Sequence, residues 1–169
     1  QITSVILNDM IARFFRLISP FLVLLYRGFV ILSARMGISL VGAQMIILRD
    51  DTVLLVRPTY RDSWEFPGGG VKRSESPMAA AIRETQEEAG VVVTSAIPVP
   101  VLPLRFPAGE SHLFLAKAFR DPAVWRPSFE IADRRYFPID ALPVDLSSGE
   151  KEALHTLLGP TSPRPSVVV

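Results

Sequence analysis

The chain has no cysteine and only two histidines, His112 and His155, among its 169 residues. The absence of cysteine excludes disulfide bonds, a thiolate nucleophile and a zinc–thiolate site. The two histidines are isolated in the sequence, which argues against a histidine-based catalytic triad or zinc site.

The chain also lacks a strong charge excess, since 18 Lys and Arg residues stand against 17 Asp and Glu residues, for a net charge of +1. No aromatic residues interleave with a basic patch, so we expect no nucleic-acid partner. A signal peptide is not indicated, because no small-residue cleavage site follows the N-terminal apolar run. We expect a cytoplasmic protein.

Residues 1–36 differ from the rest of the chain, because they are apolar and basic, and we predict that they are helical. Pro20 and Arg27 divide the apolar stretch, so its uninterrupted runs fall short of the ~20 residues that a membrane span needs. A membrane-spanning helix is therefore the least favoured interpretation, and two others stay open beside it. Residues 10–34 contact a membrane surface as a basic amphipathic helix, or the segment packs on the domain or on a partner subunit in a homodimer.

Residues 37–158 are predicted to form one α+β domain, an α/β/α sandwich with a mixed sheet between helices. The predicted strands are a hairpin of 43–48 with 52–56, then 91–94, 97–104, 111–119 and 136–139. A closing helix is predicted over 150–158, with Ser147 or Ser148 as its N-cap. The tail, 159–169, is rich in Pro and Ser and is predicted to be mobile.

Three glutamates, Glu84, Glu87 and Glu88, fall at helical spacing within a short segment. Ser76 is a suitable cap and Pro77 a suitable first residue for this helix. Carboxylates this close repel each other by ~0.2–0.5 kcal/mol per pair unless a cation lies between them. A hard divalent ion, which takes oxygen ligands, would suit the arrangement.

An apolar stripe and a glycine segment frame this helix. The stripe is expected to pack against a sheet, with the glutamates directed away from it. Its residues are Met78, Ala81, Thr85 and Ala89. Before the helix, glycines at 68–70 allow the backbone to approach an ion or a phosphate, because no Cβ stands in the way.

The spacing of these residues resembles the signature of the Nudix hydrolases: Gly, five residues, Glu, seven residues, Arg-Glu, two residues, Glu-Glu, one residue, Gly. The matching positions are Gly69, Glu75, Arg83, Glu84, Glu87, Glu88 and Gly90, with no gap. One position departs from the pattern, because Thr85 stands where the family has an apolar residue, although its methyl group can still pack. The resemblance extends over about 42–158 and implies the Nudix fold.

The resemblance implies a hydrolase that uses Mg²⁺ or Mn²⁺ to cleave the pyrophosphate bond of a nucleoside diphosphate linked to another moiety. It favours Glu87 and Glu88 as metal ligands, with the backbone carbonyl of Gly69 as a further ligand. Glu84 is either a third ligand or the base that deprotonates the attacking water.

Other residues of the signature are expected to support the site. Arg83 is predicted to orient a signature glutamate, together with Glu75, rather than to bind phosphate. The structural positions are Gly68, Gly70, Glu75 and Gly90. Many family members carry an additional carboxylate ahead of the aromatic strand that follows the signature. Glu130 is favoured for this role as general base over Glu110.

Substrate recognition is assigned to the loop before the glycines. Its arginines could contact phosphate and its aromatic rings could stack on a base, with ordinary packing as the alternative for each. The candidates are Arg57, Tyr60, Arg61 and Trp64. Two further functions stay open beside the hydrolase: a nucleotide-binding sensor with the same fold, and a membrane-surface hydrolase of nucleotide sugars or lipid-linked diphosphates.

Overall fold

The computed structural model of the protein describes Leu24, Gly28 and residues 40–100, 104–106, 109–122 and 124–159. The predictions for the N-terminal helix, for membrane or subunit contact through residues 10–34, and for the tail from residue 160 onward fall outside these residues. Within the described part of the chain, no helix has the length and apolar character needed to cross a membrane.

Eight strands and two helices are present in the described residues. In chain order they are β1 (Leu40–Ile46), β2 (Leu48–Arg49), β3 (Thr52–Pro58), β4 (Gly68–Gly70), α1 (Pro77–Ala89), β5 (Val92–Pro98), β6 (Leu104–Phe106), β7 (Gly109–Arg120), β8 (Ile131–Pro138) and α2 (Ser148–Leu157). The larger sheet has the order β4-β1-β7-β5, with β6 also paired to β7, and the smaller sheet has the order β2-β3-β8. Strands β1 and β7 are parallel and the other pairs are antiparallel, so the predicted mixed sheet is confirmed.

The predicted hairpin of 43–48 with 52–56 is wrong in its first strand. The chain leaves the larger sheet after Ile46 and enters the smaller sheet at Leu48. The hairpin with β3 is therefore formed by the short β2 and not by β1, and its turn contains Asp50, whose φ is 49°. A strand buried on both faces is a continuous apolar run, and such a run does not show where it changes sheets. The predicted break between 91–94 and 97–104 is also wrong, since β5 runs over Val92–Pro98 and has irregular pairing with β7 around Ser95 in place of a break.

Two apolar clusters lie on opposite faces of the strands, which confirms the sandwich. Alternate residues of one strand enter different clusters: Met45 belongs to the first and Ile46 to the second. Helix α1 contributes Ala80, Ala81 and Ala89 to the first cluster, while α2 contributes Ala153 and Leu154 to the second. The period of two along each strand therefore holds one helix on each face.

The ends of both helices follow their sequence signals. The Ser76 hydroxyl accepts a hydrogen bond from the backbone N–H of Ala79 at 3.2 Å, and Pro77 is the first residue of α1. Gly90 ends this helix with φ of 69°, in the left-handed region that favours glycine. Ser147, rather than Ser148, caps α2 by accepting from the N–H of Glu150.

The close approach of β4 to β1 generates a first prediction. A Cβ at Gly68 would lie 2.3 Å from the carbonyl oxygen of Ala43, whereas a Cβ at Gly70 would meet nothing within 4 Å. We expect Gly68→Ala to lower the free energy of unfolding by about 3 kcal/mol through backbone displacement. Gly70→Ala, the matched control, should stay within about 0.5 kcal/mol of the parent protein in urea denaturation. Equal stabilities of the two variants would contradict this account of the β4–β1 contact.

Candidate metal and catalytic site

The guanidinium group of Arg83 ties α1 to the loop that precedes it. It donates two hydrogen bonds to the carboxylate of Glu75, from Nε and from Nη2, both at 2.9 Å. It also donates to Glu84 at 2.7 Å, to Glu87 at 3.1 Å and to the carbonyl oxygen of Gly70 at 3.2 Å. The two-point contact fixes the plane of the guanidinium. These contacts have the geometry that the predicted orienting role of Arg83 requires, and they place Glu75 as its main partner.

Two of the three signature glutamates face the glycine strand β4. The Glu88 side chain lies in the interior and its carboxylate accepts a hydrogen bond from the N–H of Gly68 at 2.9 Å. A Cβ on Gly69 would lie 2.7 Å from the carboxyl carbon of Glu84, so a larger residue at this position would displace the Glu84 carboxylate. The sequence predicts that Glu88 lies away from the buried face of α1, and this is wrong, because β4 covers its side chain.

The third signature glutamate lies outside this contact. The side chain of Glu87 is 54% exposed, against 15% for Glu84, and it touches the edge of Arg83. Glu84 and Glu88, rather than Glu87, therefore flank the glycine backbone.

The two candidates for an additional carboxylate differ in position. The charge of Glu130, an exposed residue before β8, helps to raise the pKa of Glu88. Glu110 instead lies at the start of β7, with its carboxylate 3.7 Å from the imidazole of His112. Glu130 is thus the one that shares an electrostatic environment with the signature glutamates.

Burial dominates the protonation of the site. Loss of water raises the pKa of Glu88 to about 8, with smaller contributions from the charges of Glu65, Glu84 and Glu130. The hydrogen bonds from Arg83 act in the opposite direction on Glu75 and lower its pKa to about 2. At neutral pH the helix therefore carries one carboxyl that readily holds a proton and one salt bridge that is fully ionised.

The site offers oxygen donors only. Within the part of the chain that the structure describes, no three Asp, Glu, His or Cys side chains form a group that could hold a metal ion. Two carboxylates, Glu84 and Glu88, flank the backbone of Gly69. Hard divalent ions are commonly held by one or two carboxylates, with water and substrate phosphate completing the shell. The donor chemistry fits such an ion and does not fit a metal that requires an all-protein cage.

Two further carboxylates near the site, the half-buried Glu65 and the buried Glu150, are not predicted from the sequence. Glu65 accepts from Arg61 at 2.8 Å, and burial raises its pKa to about 7. Glu150, on α2, accepts from the N–H of Phe66 at 3.0 Å and from Gln44 at 3.2 Å, and burial raises its pKa as well. The alternation of Trp64, Glu65 and Phe66 gives no signal for this position, because a polar residue between two core residues of a strand ordinarily faces solvent.

The four predicted substrate-binding residues fall into two groups. Trp64 is 6% exposed and packs edge to face on Phe137, with ring centroids 4.7 Å apart, and the Arg135 guanidinium lies over its ring, so the ring is not accessible for stacking on a base. Of the other three, Arg57 lies near the end of β3, 3.6 Å from Asp62, and the loop holds Tyr60 and Arg61, with Arg61 over the ring of Tyr60 at 5.4 Å. The position of Trp64 therefore matches core packing, the alternative to substrate binding that was stated for it.

Comparison with known proteins gives a family match and several structural relatives. The family model described as NUDIX domain matches residues 39–157. Human diphosphoinositol polyphosphate phosphohydrolase 3-alpha is 54% identical over 44 residues, which are 25% of this chain and 27% of that protein. The chain thus aligns with about a quarter of the length of this curated relative.

Solved structures match over longer stretches. The MutT NUDIX hydrolase from Burkholderia pseudomallei is 29% identical, with a TM-score of 0.60 over 69% of this chain and 96% of that chain. A UDP-X diphosphatase is 25% identical, with a TM-score of 0.57 over 77% of this chain and 67% of that chain. Together with the family match and the arrangement of the signature residues on α1, these similarities show that the chain belongs to the Nudix hydrolase family.

Proposed function

We propose that the protein is a metal-dependent pyrophosphohydrolase that cleaves the diphosphate of a nucleoside diphosphate linked to another moiety. The observation that carries this proposal is the contact of Glu84 and Glu88 with the glycine strand, together with the hydrogen bond that Arg83 donates to Glu84. One solved relative is named a UDP-X diphosphatase, and this name supports a small-molecule diphosphate as the substrate proposed for this chain.

Magnesium or manganese is the proposed cofactor, because the available donors are carboxylate and backbone oxygens. Glu84, Glu88 and the backbone of Gly69 would hold it, with Glu87 at the exposed edge. A bound divalent ion supplies positive charge against the phosphate oxygens and lowers the pKa of a water molecule. Arg83 keeps Glu84 in place, and burial by β4 limits the access of bulk water to Glu88.

Glu130 is the proposed general base. It is exposed immediately before β8, and its charge helps to raise the pKa of Glu88. An exposed carboxylate next to a metal site can accept a proton from water without being a permanent ligand. A sensor that only binds nucleotides is not favoured, because ligand binding alone would not require carboxylates buried against the glycine backbone. Cytoplasmic location, membrane-surface contact through residues 10–34 and dimer formation remain proposals.

The substrate class is tested by incubation with Mg²⁺ and a panel of dinucleotides, nucleotide sugars, nucleoside triphosphates and diphosphoinositol polyphosphates. We expect release of a monophosphate product from at least one diphosphate-linked nucleoside, measured by chromatography. The same panel with EDTA should give no turnover. Absence of turnover on every compound with Mg²⁺ and with Mn²⁺ would contradict the proposed activity and favour the sensor.

Substitution of Glu88 tests the ligand assignment. We expect Glu88→Gln to lower kcat/KM by at least about a hundredfold, because the neutral amide cannot balance the charge of the ion. Glu152→Gln is the matched control, since Glu152 is exposed on α2, on the other face of the sheet. It should leave kcat/KM unchanged within about twofold. Full activity of Glu88→Gln would overturn the assignment.

The raised pKa of Glu88 predicts how pH acts on the metal-free protein. The folded state holds its proton up to about pH 8, whereas the unfolded chain releases it near 4.5. The contribution of Glu88 to the free energy of unfolding is therefore fully present below pH 4.5 and is lost as the pH rises toward 8. Glu65, with its pKa near 7, adds a change of the same sign.

Metal binding should reverse this loss, because an ion replaces the proton on Glu88. We expect Mg²⁺ to raise the melting temperature more at pH 8 than at pH 6, as measured by thermal denaturation. Glu88→Gln should reduce the pH dependence of the Mg²⁺ effect. An equal Mg²⁺ effect at both pH values in the parent protein would contradict competition between proton and metal.

A further inference from the structure

A second charged cluster lies on the smaller sheet and involves none of the signature residues. Two arginines, Arg49 on β2 and Arg134 on β8, both contact the carboxylate of Asp121. The hydroxyl of Tyr136 donates to the same carboxylate at 2.9 Å. One negative charge thus faces two positive charges, so the cluster carries a net charge of about +1.

One buried hydrogen-bond donor of this cluster has no acceptor among the described residues. The Arg134 side chain is 9% exposed, and among the described residues its buried Nε has no hydrogen-bond partner. Burial lowers the pKa of Arg134, the direction expected for a cation held away from water. The two oxygens of Asp121 already accept from Arg49, Arg134 and Tyr136. An unpaired buried donor beside a positive charge is costly unless an anion supplies the missing oxygen.

The cluster is open to solvent on one side and lies on the same face of the sheet as α1. Arg49 is 36% exposed and its guanidinium carbon lies 4.2 Å from the ring centroid of Tyr136, a residue that packs against the first apolar cluster. Pro122, next to Asp121, lies against the end of α1 at Gly90. Along β8, Arg134 is four residues beyond Glu130, roughly 13 Å in an extended strand.

We propose that Arg49 and Arg134, oriented by Asp121 and Tyr136, form a binding site for a phosphate group distinct from the diphosphate that is cleaved. Planar guanidinium groups match phosphate oxygens with paired N–H donors, and two of them at one place are more selective for a dianion than a single lysine. The phosphate belongs either to a remote part of the substrate, in which case the inference rests on the proposed function, or to free inorganic phosphate.

Direct binding tests the site without any turnover. Inorganic phosphate is titrated into the full-length protein by calorimetry in low salt with EDTA, so that no metal contributes. We expect saturable binding that Arg49→Gln and Arg134→Gln each weaken about tenfold. Asp121→Asn should instead tighten binding, because it removes the competing negative charge while preserving shape.

Arg135→Gln is the matched control. Arg135 is the next residue on β8, loses the same charge, and is 64% exposed, paired with Asp133 and placed over Trp64 on the opposite face. It should leave phosphate binding unchanged within about twofold. Because Arg134→Gln could unfold the protein, the exposed Arg49 and the opposite sign for Asp121→Asn keep the test decisive. No phosphate binding by the folded parent protein, or equal weakening by Arg135→Gln, overturns the inference.

Kinetics separates the two sources of the phosphate. Two dinucleotides that differ by one ribose 2′-phosphate are compared as substrates of the parent protein and of Arg49→Gln. If the site holds a remote substrate phosphate, Arg49→Gln raises KM about tenfold for the phosphorylated dinucleotide alone and leaves kcat unchanged. If it holds free phosphate, both substrates respond alike, while calorimetry still shows the loss. Turnover without phosphate binding would overturn this inference and leave the proposed function intact. Phosphate binding without turnover would support the site and contradict the proposed function.

Discussion

The two-point hydrogen bond between Arg83 and Glu75 is the contact on which the arrangement of the site depends. A charged pair of this geometry restricts both side chains far more than a single contact would. From that fixed position the same guanidinium reaches Glu84, Glu87 and the carbonyl of Gly70. One arginine therefore links the loop, the helix and the glycine strand, and it leaves the buried carboxylate of Glu88 to the N–H of Gly68.

The local signals of α1 could be predicted from the sequence because each depends on neighbouring residues. Ser76, Pro77 and Gly90 determine where the helix begins and ends, and the small residues Ala81 and Ala89 determine which side is buried. The partnership of Arg83 with Glu75 was also accessible, since the family signature contains both positions. Family membership and the sandwich architecture followed from these residues together.

Features that depend on long-range contact could not be obtained in the same way. The burial of Glu88 requires β4 to lie across the helix, and the burial of Glu150 requires α2 to meet the backbone of Phe66. Neither contact has a periodic signal in the sequence. Trp64 illustrates the converse case, because an aromatic residue beside a glycine loop suits a ligand contact and a core position equally well until the opposite wall, Phe137, is known.

The position of β1 at the centre of the larger sheet has a consequence for the order of assembly. Its neighbours are β4, which pairs Gly42 with Gly70, and β7, which pairs Leu40 with Gly109. The parallel partner is thus synthesised long after β1, and non-local pairing of this kind slows folding. A nascent chain that ends before β7 would have all the signature residues but only one side of the strand against which they pack. We therefore expect the site to form late in synthesis, when the domain is nearly complete, and not when the segment with the acidic residues first leaves the ribosome.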